Sequence, residues 1–169
     1  MFLVLAGCSP NPPFKDVLGP TSPSNSSAPE FELERVAGGT LNSADLRGKV
    51  VIVDFWATWC APCIEEIPNY NKIQETYADK GVEVLGITVE SGPLDDIRPK
   101  VEEFQMKYSV VVGNDDVVAG FGGLIGFPTT FIVDQEGRVY KKYLGMTRNK
   151  KEMIEKDIEK LLSEPTTVS

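Results

Sequence analysis

Val50-Val51-Ile52-Val53-Asp54-Phe55-Trp56-Ala57-Thr58-Trp59-Cys60-Ala61-Pro62-Cys63 is the stretch on which the reading of this chain turns. Val50 to Phe55 is a nearly continuous apolar, β-branched run, which predicts a central strand buried on both faces. From Ile64 to Ala78 the residues Ile67, Tyr70, Ile73 and Tyr77 recur at helical spacing. Between strand and helix stand Cys60 and Cys63. A pair with two intervening residues at a helix start can close and reopen a small disulfide, which suits it to moving two electrons between thiols. The same spacing serves as half of many zinc sites. Zinc takes about four ligands, the chain has no histidine, and its only other cysteine is Cys8. A Cys-rich or Cys/His zinc site therefore cannot be assembled within one chain. A static structural disulfide is the other alternative, and so short a loop gives it little stabilising effect.

Working outward, the elements follow in α/β order. The domain is expected to begin near Phe31. Glu32 to Val36 alternates as an edge strand does, Gly38-Gly39 reads as a turn, and Ser43 to Leu46 as a short helical turn ended by Gly48-Lys49. Pro68 lies inside the first long helix and is expected to kink it. Gly81 closes that helix, and Val82 to Val89 is a second buried strand. Asp95 to Tyr108 reads as helix, with Pro99 tolerated in its first turn. Val110 to Val112 reads as a short strand and Asp115 to Phe121 as a short helix. Thr129 to Val133 and Arg138 to Leu144 form strands around the turn Asp134-Gln135-Glu136-Gly137. Asn149 is placed to cap a last helix running to about Leu162, with Met153, Ile154, Ile158, Leu161 and Leu162 on its buried side. This order predicts an α/β sandwich of three layers around a mixed sheet, occupying residues 31–163, with 164–169 as a tail.

The chain of 169 residues carries a net charge of −8. An acidic chain without a basic patch argues against nucleic acid as a partner. The one basic cluster, Arg148 to Lys151, reads as the solvated start of the last helix. No stretch is long enough to span a bilayer as a helix. Leu5-Ala6-Gly7-Cys8 nevertheless has the form of a lipobox: a branched apolar residue, two small residues, then cysteine. It resembles the processing site of bacterial lipoproteins, which implies lipid on Cys8 and makes 1–8 a signal remnant. Met1 to Leu5 is shorter than a full signal and has no Lys or Arg, so the reading places the signal's start upstream. Residues 9–30 are rich in proline and serine and cannot bury enough surface to fold. At about 3.1 Å per residue where polyproline-like, they form a tether reaching roughly 60 Å.

With these residues in view, the part from Phe31 to about Leu162 resembles the thioredoxin-fold oxidoreductases. It is closest to their membrane-tethered, extracytoplasmic ResA/TlpA group, which includes proteins of cytochrome c maturation. Val53 to Cys63 looks like the active-site strand and helix start of that fold. Pro68 falls where its helix kinks, and Gly126-Phe127-Pro128-Thr129-Thr130 looks like its cis-proline loop. Gly81 to Val112 resembles the strand–helix insert of the tethered members. The resemblance implies a cis Pro128 facing the disulfide, with the Phe127 backbone pairing an extended substrate segment as an added strand. Asp54 matches the buried acid that assists proton transfer at the resolving cysteine, and Glu66 matches the acid of the ResA-like group. The tethered members usually carry a neutral residue at the Asp54 position, so this chain departs in having both acids.

The expected chemistry follows. Cys60, at the helix N-terminus where free N–H groups favour a thiolate, attacks a disulfide sulfur, and the more shielded Cys63 resolves the mixed disulfide. Trp59 covers one side of the sulfurs, and the Ala61-Pro62 pair tunes the potential, since proline removes one N–H donor. Asp54 and Glu66 raise each other's pKa and that of the thiols; Glu65 faces solvent. Glu90 ends its strand as a loop carboxylate. The expected function is a lipid-anchored, extracytoplasmic (periplasmic) bacterial thiol–disulfide oxidoreductase. It reduces protein disulfides such as those of apocytochrome c, is fed by a membrane dithiol donor, and uses no cofactor or metal beyond its own cysteines. An oxidase or isomerase of the same fold, and a non-enzymatic tethered binding module, stay open as alternatives. A copper chaperone is disfavoured for want of C-x-x-x-C and histidine.

Overall fold

The computed structural model describes residues 26–164. The lipobox with Cys8, the tether up to residue 25 and the tail from residue 165 lie outside the described residues. Seven strands and four α-helices follow in chain order. A hairpin of β1 (Glu32–Glu34) and β2 (Thr40–Asn42) precedes β3 (Val50–Trp56), α1 (Ala61–Tyr77), β4 (Val82–Thr88) and α2 (Leu94–Glu103). Then come β5 (Ser109–Val112), α3 (Asp115–Gly120), β6 (Thr129–Val133), β7 (Val139–Leu144) and α4 (Lys150–Ser163). The main sheet has the order β5-β4-β3-β6-β7. β3 runs parallel to β4 and antiparallel to β6. The crossover through α1 gives the parallel β3–β4 pair and the 134–137 turn gives the antiparallel β6–β7 pair, which makes the sheet mixed as expected.

All of β3 is buried, because both faces of the sheet are covered. Its alternation divides the core in two. Val50, Ile52 and Trp56 join α1, α2 and α4. Val51, Val53 and Phe55 join the β1–β2 hairpin and α3. Asp54, by the same alternation, points to the α1/α4 side.

Several expectations are corrected. The segment from Glu32 is not an edge strand of the main sheet: it pairs with β2 and reaches β5 through the Arg35–Val111 bridge, the Val36 N–H donated to Val110 and the Arg35 guanidinium donating to the Ser109 hydroxyl. Residues 26–30, assigned to the tether, lie against the domain. Ser27 bridges Arg138, Ala28 N–H donates to Gly137, and Pro29 packs against Gly120. Proline-rich sequence cannot fold alone, but here a preformed edge and an apolar ledge receive it. α2 stops at Glu103, five residues early, where Gln105 takes a left-handed φ of 54°. Pro99 is the sixth helical residue, beyond the first turn. Asn149 stands at the α4 N-cap, but its side chain makes no capping bond.

Candidate active site

Cys60 is the N-cap of α1, in extended conformation (φ −86°, ψ 96°), and Cys63 is its third helical residue. The two are joined as a disulfide. The Cys63 N–H points at Cys60 Sγ, 3.3 Å away. Pro62, at the second helical position, has no N–H to offer. An N-cap side chain ordinarily draws on the N–H groups of the second and third helical residues; Cys60 has only the third. Both sulfur residues are shielded, Cys60 at 5% exposure and Cys63 at 1%.

The Phe127–Pro128 bond is cis. The Phe127 ring meets Trp59 edge-on, centroids 5.7 Å apart, so the cis-proline loop and the cysteine loop touch. The Trp59 indole N–H donates to the Glu90 carbonyl at 2.8 Å. Trp59 is therefore held by Phe127 and Glu90 and remains 61% exposed. Glu90 contributes through its backbone: its left-handed φ of 52° turns the chain at the end of β4, and its side chain is exposed.

Beneath the disulfide, α1 presents Cys63, Glu66, Ile67 and Tyr70 on one buried face, three, four and seven residues apart. The Tyr70 hydroxyl lies 2.8 Å from Thr130 Oγ1, 3.2 Å from Asp54 Oδ1 and 3.5 Å from Glu66 Oε2. Thr130 donates to Asp54 Oδ1 at 3.0 Å. Lys150, the first residue of α4, donates to Glu66 Oε2 at 2.8 Å. Gly86 stands opposite Asp54 on β4, and its missing side chain leaves room for Trp56 and Tyr108, which a Cβ would meet at 3.1 and 3.2 Å.

The chain is similar to known proteins. Residues 25–142 match the AhpC/TSA family. The ResA thiol-disulfide oxidoreductase of Geobacillus thermodenitrificans is 36% identical over 120 residues, 71% of this chain and 68% of that protein. The thioredoxin-like protein YneN of Bacillus subtilis is 32% identical over 130 residues, 76% of this chain and 75% of that protein. A thiol:disulfide interchange protein of the thioredoxin family from Chlorobium tepidum, solved by crystallography, superposes with a TM-score of 0.73. It is 31% identical, and the match covers 85% of this chain and 99% of that one. The chain belongs to the AhpC/TSA family and is a thiol–disulfide oxidoreductase of the ResA-like kind.

In this oxidoreductase the carboxylates sit in a low-dielectric pocket. Burial pushes the Asp54 carboxyl up to about 7 against the pull of Lys150; Glu66 adds to the rise, and the Thr130 and Tyr70 hydroxyls oppose it. Burial also raises Glu66, with Lys150 holding it down. Tyr70 and Tyr108 are pushed well above the ordinary phenol range by burial and by the two acids. Sequence reasoning named Cys60, Cys63, Asp54, Glu66, Trp59, Pro62, Phe127 and Pro128 for the site. It took Tyr70 for a packing residue and missed Thr130. Lys150, read as part of a solvated cluster, is only 3% exposed. The one sequence signal for it was a lysine at a helix N-terminus, where a cation is disfavoured.

Proposed function

We propose that this oxidoreductase is a reductant of protein disulfides working outside the cytoplasm of a bacterium. The observation that carries the direction of electron flow is what surrounds the thiols. Cys60 has one N–H donor at its helix cap instead of two, and two buried carboxylates share one pocket beneath the pair, Glu66 on the same face of α1 as Cys63 and Asp54 on β3. Each feature disfavours a thiolate in the dithiol form. A couple whose reduced form is not stabilised gives its electrons up readily.

In the proposed cycle the Cys60 thiolate attacks a substrate disulfide. A mixed disulfide forms, and one substrate sulfur leaves and takes a proton. Cys63 gives its proton to Asp54 and attacks Cys60 Sγ, which releases the second substrate thiol and closes the Cys60–Cys63 disulfide. Two electrons have then passed to the substrate. A membrane dithiol restores the pair by the reverse exchange, with Asp54 returning its proton to Cys63. The cysteines carry the electrons themselves, so the cycle uses no cofactor and no metal.

A polypeptide substrate suits the rim of the site. Among the described residues the exposed large apolar side chains are Trp59, Ile125 and Met146. Trp59 precedes Cys60, Ile125 lies three residues before Pro128, and Met146 follows Gly145, whose N–H donates to the Pro128 carbonyl. Cysteines of apocytochrome c are the substrate proposed, with Phe127 and Pro128 receiving an extended segment beside Trp59 and Pro62. Lipid on Cys8 and the tether behind it would hold the domain at the membrane; no helix among the described residues is long and apolar enough to cross one. The reduction potential of the Cys60–Cys63 couple, titrated in redox buffers with thiol trapping, tests the proposal. A value near that of thioredoxin, about −270 mV, supports it, and a value near about −120 mV replaces it with a disulfide-forming role.

A further inference from the structure

We propose that Lys150 is a positioning residue of the exchange chemistry: its ammonium fixes Glu66 as the ionised member of the buried carboxylate pair and leaves the mobile proton on Asp54. The inference rests on the reading of Asp54 as proton carrier.

Everything local opposes a lysine at this place. It is the first residue of α4, at the positive end of the helix dipole, and Asn149 supplies no capping bond. It is also buried, and burying an ammonium is costly unless it is paired. What compensates is Glu66 Oε2 at 2.8 Å and the face of Tyr70, 5.9 Å from the ammonium to the ring centroid. A residue that violates its local preferences and is held only by a tertiary contact marks a site kept for function.

The hydrogen bonds divide the two acids unequally. Glu66 receives a full positive charge. Asp54 receives only neutral hydroxyls, from Thr130 and Tyr70. The titratable groups facing the pair are Cys63 and Tyr70 from α1, Tyr108 from the segment before β5, and Lys150 from α4. With one cation and two carboxylates in one pocket, the neutral arrangement has Glu66 ionised and a single proton left to Asp54. That proton passes to Cys63 when the disulfide is reduced and returns to Asp54 when Cys63 attacks the mixed disulfide, so the cluster's charge changes only by the proton that moves.

The test uses the full chain. The pH dependence of single-turnover reduction of a peptide disulfide is measured alongside the carboxyl carbon-13 titration of Asp54, assigned by its loss in Asp54→Asn. Lys150→Met moves the Asp54 midpoint and the acidic limb of the rate profile, where Asp54 must be ionised to take the Cys63 proton, up by at least about one pH unit. Glu66→Gln, which leaves Lys150 beside Asp54 with no anion, moves both down. The double variant Lys150→Met/Glu66→Gln returns them close to the parent value. The opposite signs keep the inference falsifiable if Lys150→Met does not fold. Midpoints that stay in place in the single variants, with only stability lost, make Lys150 a structural residue and overturn it. If instead the acidic limb survives in Asp54→Asn, the proton-carrier reading itself is what falls.

Discussion

At the scale of single residues, Asp54 is held far from its ordinary chemistry by burial. Its folded value of about 7 lies above the usual 3.8. The folded protein therefore holds a proton that the unfolded chain gives up between those values. The stability from that proton is fully present below about pH 4 and is lost as pH rises through about 7. Three units correspond to at most about 4 kcal/mol. In thermal or urea unfolding of the oxidised protein, Asp54→Asn should flatten the fall in stability between about pH 5 and 8 and leave the variant more stable than the parent at the basic end. Lys150 gives the opposite lesson. Replacing it with Met at neutral pH leaves Glu66 buried without its cation, and the expected loss is about 3 to 5 kcal/mol, readable as a lower urea midpoint at unchanged slope. Neither effect follows from composition, because both acids and the lysine are ordinary until the fold removes water from around them.

At the scale of elements, α1 does the most with the least. Its first turn sets the donors around Cys60, and its buried face carries Cys63, Glu66 and Tyr70 in a row. Pro62→Ala restores an N–H at the second helical position. One more bond to a thiolate, about 1.5 to 3 kcal/mol, stabilises the dithiol form and should raise the potential by about 30 to 60 mV, measured by redox titration. α3 is short, and Asn114 caps it by accepting the Val117 N–H at 2.9 Å. Asn114→Ala should cost about 1 kcal/mol in chemical denaturation and leave the potential in place. β3, α1, β6 and β7 were legible in the sequence because apolar periodicity and turn chemistry are local signals. The end of α2 was not, because apolar residues continue at Phe104 and Met106, on either side of Gln105, where the backbone turns aside.

At the scale of the whole molecule, the segment 26–30 closes the sheet face opposite the α1/α4 layer. Pro29 rests where Gly120 has no side chain: a Cβ there would lie 2.5 Å from the Pro29 Cβ. Gly120→Ala should loosen the segment, and hydrogen exchange at Ala28, whose N–H donates to Gly137 at 2.8 Å, should quicken while the amides of β3 stay protected. The cis-proline loop was implied by the family resemblance; the sequence by itself determined the α/β order, the redox pair at a helix start and the presence of two acids near the cysteines. These rest on spacing along one chain, and the chain carries that information directly. Only the tertiary structure decided what surrounds the acids. Lys150 reaches Glu66 across 84 residues of sequence, and Thr130 reaches Asp54 across 76. Whether a lysine is solvated or buried depends on which helix end the fold sets against which strand, and no periodicity records that. The pairing is a property of packed layers, and so are the charges it fixes.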